Sequence, residues 1–376
     1  MKNIKLGLAA LSLAGVPYAA LATTPPPEFE IGGFMQVDAA FFEGAHNEQR
    51  RGSEYEIRRA RVGLKHESKR GWEAELEIDI NDQDNEVSVT DAYVTYTGWN
   101  FGEVTFGKMK EPFGLENTTG SKNINTIERS VVTEAFKPGR NYGLLFSTFG
   151  NLYTLELGGF QTSEDEYGLE GYAFTGRGVF HPVLTETSLI HLGVSLSTRD
   201  MQDAEYRINE PLEVNPASSV IESRRLNADT IDQYSLEAAV KYGLFSIQTE
   251  WMEQKVAEKF SETNPEPDPD ATYSGYYVLA SVFLTGESRS YKKGSFGGVK
   301  PLKDSGAWEL VARYSDIDLG DTADDVRADS MMLGVNYYAT SRARFALNVS
   351  KADVESPNEE ESGNAESVIF RAQYAF

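Results

Sequence analysis

The chain has no cysteine among its 376 residues, so no disulfide framework can hold it and stability must come from burial and strand pairing. Long apolar runs are missing too. Mean hydropathy is -0.41, and the one run of note, Leu6 to Val16, is shorter than the roughly 20 residues a spanning helix needs. Positive charge is scarce: 35 Lys and Arg stand against 58 Asp and Glu, for a net charge of -23, which argues against nucleic acid as a partner. The four histidines, His46, His66, His181 and His191, lack metal-ligand spacing. A Ser–His hydrolase set in a barrel wall would need an outward Ser–His pair with an orienting partner, and neither His181 nor His191 offers one. The aspartates of 316–325 are spaced like a calcium loop, but Arg327 stands where a bidentate glutamate belongs. That stretch and the acidic 264–270 read better as solvated loops. We therefore expect no catalysis and no cofactor.

What is present begins with an export signal. Lys2 and Lys5 precede the apolar run and Ala20-Leu21-Ala22 supplies a small-x-small cleavage site, so 1–22 is expected to be a signal peptide and 23–28 a short leader. From Phe29 to Phe376 the dominant pattern has period two. In the hairpin from Tyr55 to Ile80, Trp72, Ala74, Leu76, Ile78 and Ile80 share one parity, while Glu73, Glu75, Glu77 and Asp79 share the other. The preceding arm sets Ala60, Val62 and Leu64 against Arg59, Arg61 and Lys65. Strands with two such faces have water on one side and something apolar on the other.

Repeated along the chain, this pattern gives about 16 strands, each near the roughly 9–11 residues a tilted strand needs to cross a bilayer. The links alternate in length. HESKRG, TGWN, FGN, PVLTET, YG and ATS are tight, whereas 43–54, 81–87, 110–139, 162–169, 199–231, 256–272, 317–327 and 353–365 are mostly long and polar. One link, 286–306, is long on the short side, so either a strand is hidden there or the segment folds into the lumen. Charges are nearly absent from the apolar parity, where one at the bilayer midplane would cost about 2–4 kcal/mol. Trp72, Trp99 and Trp308 fall at the inner strand ends, as an interfacial girdle requires. The expected fold is all-β: a transmembrane antiparallel β-barrel occupying 29–376, surrounded by outer-membrane lipid.

Several segments sharpen this: IRRARVGLK at 57–65, DAYVTY at 91–96, GKMKEPFGLE at 107–116, ERS at 128–130, KPGRNYG at 137–143 and GAWELVARYS at 306–315. Together they resemble the phosphate-selective porin (porin O/P) family of Gram-negative bacteria. The resemblance implies a 16-stranded, usually trimeric barrel that passes anions such as phosphate along a basic wall, its third loop folded inward. A last strand ending in Phe370, Tyr374 and Phe376 resembles the signal read by the barrel assembly machinery.

On lumen parity the expected basic wall is Arg59, Arg61, Lys65, Arg177, Arg313, Arg344 and Arg371, much of it continuous across the barrel seam. Acids face it from Glu73, Glu75, Glu77 and Asp79, and from Glu156, Glu237 and Glu250. Opposed charge gives a transverse field that sorts solutes by sign. Alternatively, Arg59 and Arg61 merely pair with the next strand's carboxylates. The segment 108–140 is expected to form the constriction through Lys110, Lys122, Arg129, Lys137 and Arg140, with Lys122 and Arg129 nearest the ions. The acid row is a departure from the family pattern. It favours general anion preference over strict phosphate selection and leaves open a general or cation-leaning pore, or an adhesive barrel acting through its loops.

Overall fold

A computed structural model describes residues 28–46, 51–81, 86–163, 170–258, 270–320, 326–357 and 362–376. The expected signal peptide and nearly all of the leader lie outside these residues, as do most of the acidic stretch at 264–270 and the second half of 316–325.

Twenty strands and two short helices follow one another. The first five strands are β1 (Glu28–Gly44), β2 (Arg51–Glu67), β3 (Trp72–Asn81), β4 (Glu86–Tyr96) and β5 (Glu103–Lys110). The helices α1 (Leu115–Thr118) and α2 (Val131–Phe136) interrupt the third outer loop. Then come β6 (Arg140–Phe149), β7 (Tyr153–Ser163), β8 (Glu170–Leu184), β9 (Ser188–Tyr206), β10 (Asn209–Pro211), β11 (Ser219–Glu222) and β12 (Leu226–Tyr242). The chain continues with β13 (Phe245–Glu258), β14 (Ala271–Phe283), β15 (Tyr291–Lys292) and β16 (Ser295–Phe296). It finishes with β17 (Ala307–Asp318), β18 (Arg327–Tyr338), β19 (Ala343–Glu355) and β20 (Gly363–Ala375).

Sixteen of these strands close an antiparallel barrel, each pairing with the next and β1 with β20. The pairs β10–β11 and β15–β16 are small separate hairpins. Every strand expected from periodicity is present. The expected polar link at 199–231 is shorter than read, because β9 and β12 run on into it and the remainder folds back as the β10–β11 hairpin. Its apolar residues Ile208, Leu212, Val220 and Ile221 are buried. Scattered among charges, they carry no period that would mark a strand.

The outward parity is exposed on the isolated chain: Leu192, Leu236, Leu333 and Val349 are representative, each about half exposed or more. So much contiguous apolar surface belongs against lipid. At the inner rim an aromatic ribbon runs Trp72, Tyr96, Trp99, Phe101, Phe146, with neighbouring ring centroids 4.8 to 6.4 Å apart. Trp308 and Tyr337 meet further round, their rings tilted by 32° with centroids 4.6 Å apart. This is the interfacial girdle that the tryptophan positions foretold.

Candidate ion path

Residues 111–139 leave the wall after β5 and turn into the lumen. Gly114 makes the turn at φ 73, where an added Cβ would lie 2.8 Å from a Glu250 oxygen. Its amide donates to Ser195 Oγ at 3.1 Å, and those of Leu115 and Glu116 donate to the two Glu250 oxygens at 2.6 and 2.8 Å. Just upstream, buried Glu111 receives both terminal nitrogens of Arg199 at 2.9 and 3.0 Å. Downstream, Arg344 donates to the Ile124 and Asn125 carbonyls at 2.6 and 2.7 Å, and Asn348 Oδ1 accepts the Ile127 amide at 2.7 Å. Each bond satisfies a backbone or side-chain group that has lost its water. The loop is fastened round most of the wall.

Two further segments fill the same side of the lumen. From outside, α2 and the β10–β11 hairpin pack Val132, Phe136, Leu212 and Ile221 against Met252, Tyr273 and Ile317 in a dry cluster. From the inner side, 284–306 folds into the barrel, which resolves the anomalous long link. Arg177 Nη2 donates to the Gly294 carbonyl at 2.9 Å and Tyr291 OH lies 2.6 Å from His191 Nδ1. Arg289 donates to Gln248 Oε1 at 3.1 Å and lies over Phe296 at 4.1 Å.

What stays wet lies along β2 to β4. Glu73, Glu75, Glu77, Asp79 and Asp91 are half-buried, as is Arg61, while Lys65 is exposed. Arg61 pairs with Asp79 at 2.7 Å and Glu77 at 3.2 Å, Lys65 with Glu75 at 3.0 Å, and Arg140 with Asp91 at 3.2 Å. Two loop-side cations add to these. Lys110 Nζ donates to the Asn117 carbonyl at 2.6 Å and has Arg129, Arg140, Asp91 and Arg61 as electrostatic neighbours. Lys122 is exposed and lies 5.9 Å from the Phe34 ring, with Arg61 5.8 Å from the same ring. Among the described residues neither lysine forms an ion pair within 4.0 Å.

The basic wall expected from parity is therefore divided. Arg61 and Lys65 meet the open side. Arg59, Arg177, Arg313, Arg344 and Arg371 are each no more than 6% exposed, because folded-in loops and wall acids cover them. Arg177 pairs with Glu237 at 2.7 Å, Arg313 with Glu213 at 2.7 Å, and Arg371 with Asp38 at 2.5 Å and Glu128 at 2.6 Å. In the third loop Arg129 turns inward to the Glu116 and Thr119 carbonyls at 3.1 and 3.0 Å, and Lys137 pairs with Glu134. Lys122 is near the opening and Arg129 is not. Phe370, Tyr374 and Phe376 face outward, and the Phe376 backbone exchanges hydrogen bonds with Gly33 at 3.0 and 3.1 Å.

Strict parity missed Arg58. A register shift lets Arg59 oppose Gln36 and Ile57 oppose Val37, so Arg58 is an extra residue that also reaches the lumen. The signal was available: two adjacent arginines cannot both face water across a regular strand inside a membrane. Glu111, Glu128, Glu213 and Arg199 were missed because their partners are distant in sequence.

The sequence matches the family described as phosphate-selective porin O and P over residues 29–376. It is 28% identical to Porin O of Pseudomonas aeruginosa, covering 93% of this chain and 88% of that one. A protein of Caulobacter vibrioides is 29% identical, with 88% and 70% covered. In fold the barrel is similar to in-vitro folded OmpT of Vibrio cholerae, with a TM-score of 0.60 at 12% identity over 95% of this chain and 100% of that one. It is similar also to an anion-selective porin from Comamonas acidovorans, with a TM-score of 0.58 at 13% identity over 93% and 100%. With a match running from the first barrel strand to the last residue, the chain belongs to the phosphate-selective porin O and P family, and its barrel is that of a Gram-negative outer-membrane porin.

Proposed function

We propose that the chain is a passive channel for small hydrophilic solutes, with a preference for anions such as phosphate. The observation that carries this reading is Lys122, an exposed cation beside the open side of the lumen that forms no ion pair among the described residues. An ion passing there meets Lys122 and, along β2 to β4, Arg61, Lys65 and Arg140 interleaved with the acids they pair with. Arginine and lysine supply charge-assisted donors that suit oxyanions. The match to a phosphate-selective family and the likeness to Porin O support the same direction. The acid row Glu73, Glu75, Glu77 and Asp79 favours a second reading, a weakly selective or cation-leaning pore. Reversal potential across a salt gradient in a planar bilayer separates them: the anion sign is expected, and a cation sign ends the first reading.

A trimeric assembly is part of this proposal, following the family resemblance and the trimer form of OmpT. We assign Phe370, Tyr374 and Phe376 to recognition by the barrel assembly machinery. Deleting Phe376 should slow the appearance of heat-modifiable barrels in the outer membrane while leaving refolded barrels conductive.

A further inference from the structure

The most concentrated cationic site in the lumen already holds an anion, and that anion belongs to the protein. Glu128, at the turn of the third loop before α2, is 7% exposed. Arg58 grips it with Nε at 2.9 Å and Nη2 at 3.0 Å, Arg371 donates from Nη2 at 2.6 Å, and Arg59 Nη2 stands 3.7 Å away. Burial would push the Glu128 carboxyl up, but the guanidiniums of Arg58, Arg371 and Arg59 outweigh it and hold it well below the usual carboxylate range. The cluster sets three guanidiniums against three carboxyls, so withdrawing Glu128 leaves it with an excess of positive charge. Arg371 shares Asp38, Arg58 feels Glu56, and Arg59 otherwise donates only to neutral Gln36 at 3.0 Å. Arg58 is the opening to this site, its side chain 19% exposed where its partners are nearly closed off.

Three forked donors brought together from β2 and β20 match a tetrahedral oxyanion at least as well as a two-oxygen carboxylate. Resting on the anion-channel reading above, we propose that Glu128 is a tethered stand-in for an oxyanion, occupying a binding site formed by Arg58, Arg59 and Arg371. Glu128 is the specificity-determining residue; the guanidiniums are the site.

The test is chloride conductance of purified trimers or monomers in planar bilayers, with inorganic phosphate added as blocker. Shortening the side chain in Glu128→Ala frees both charge and room. The expected result is a saturable block whose half-maximal phosphate concentration is at least tenfold lower than for the unaltered channel. Adding Arg58→Gln to Glu128→Ala should return it to the starting value. A loop merely loosened by the substitution would change conductance for all ions without saturable block and without dependence on Arg58. If Glu128→Ala does not assemble, Glu128→Asp withdraws the carboxylate by one methylene and should shift the block at least twofold in the same direction. Open channels with unchanged phosphate block in whichever variant assembles would overturn the proposal. The anion-channel reading fails separately, through a cation-selective reversal potential of the unaltered protein.

Discussion

Two sides of one lumen use the same residue types to opposite ends. Along β8 to β20 and β1, arginines and carboxylates are buried in pairs, and Arg199 with Glu111 and Arg313 with Glu213 pin loops to the wall, while Arg177, paired with Glu237 within the wall, holds the Gly294 carbonyl. Along β2 to β4 comparable pairs stay in water, and exposed Lys122 forms no ion pair among the described residues. Desolvation separates the two. A buried pair is costly to break because the survivor is left charged and dry, whereas a wet charge is screened and acts mainly on passing ions. A lumen-facing arginine is therefore not by itself a transport residue.

The comparison can be broken most severely on the dry side. Arg313→Ala leaves Glu213 and Glu116 without their guanidinium, and should cost about 3–5 kcal/mol. Thermal or denaturant unfolding checks this, and unfolding like the parent protein would show that the dry pairs do not hold the loops. On the wet side, reversing charge at Glu75 or Glu77 to Lys should leave unfolding nearly unchanged. A unit charge about 6 Å from an ion in a water-like medium is worth about 0.7 kcal/mol, so reversal should help anions and hinder cations roughly tenfold each and raise the permeability ratio roughly a hundredfold. Lys122→Ala removes one unit rather than reversing it, and should lower that ratio roughly tenfold by reversal potential.

The smallest effect expected is a titration. Glu210, in the β10–β11 hairpin, has its carboxyl pushed up to about 7, chiefly by burial and with help from Glu134, against the opposing pull of Lys137 and Arg58. Below that value it is neutral; above it, it adds negative charge to the lumen beside Lys137 and Arg58. Anion preference should therefore fall modestly as pH rises through about 7. Glu210→Gln should flatten the profile.

Much of this fold could be read directly from residues. The period-two faces of β2 and β3, the tight inner turns and the inner-end tryptophans all depend on local rules, and those rules were sufficient. The site was only half legible. Parity correctly put Arg313, Arg344 and Arg371 on the lumen side, but whether a lumen residue is wet depends on what lies over it. That cover comes from residues such as Glu128 and Glu213, 243 and 102 positions from the side chains they meet. Arg58 escaped for another reason: a single bulge offsets a strand, and only the Arg58-Arg59 doublet hinted at it.

The inward-folded segment 284–306 also makes the channel's two mouths unlike. It enters from the inner end and carries Lys292, Lys293, Lys300 and Lys303, with Lys293 held to Glu103 at 3.0 Å. A conduit with an uneven charge profile along its axis rectifies. Current at one voltage polarity should exceed that at the other, and the sign of the imbalance tells which way a barrel has inserted into the bilayer.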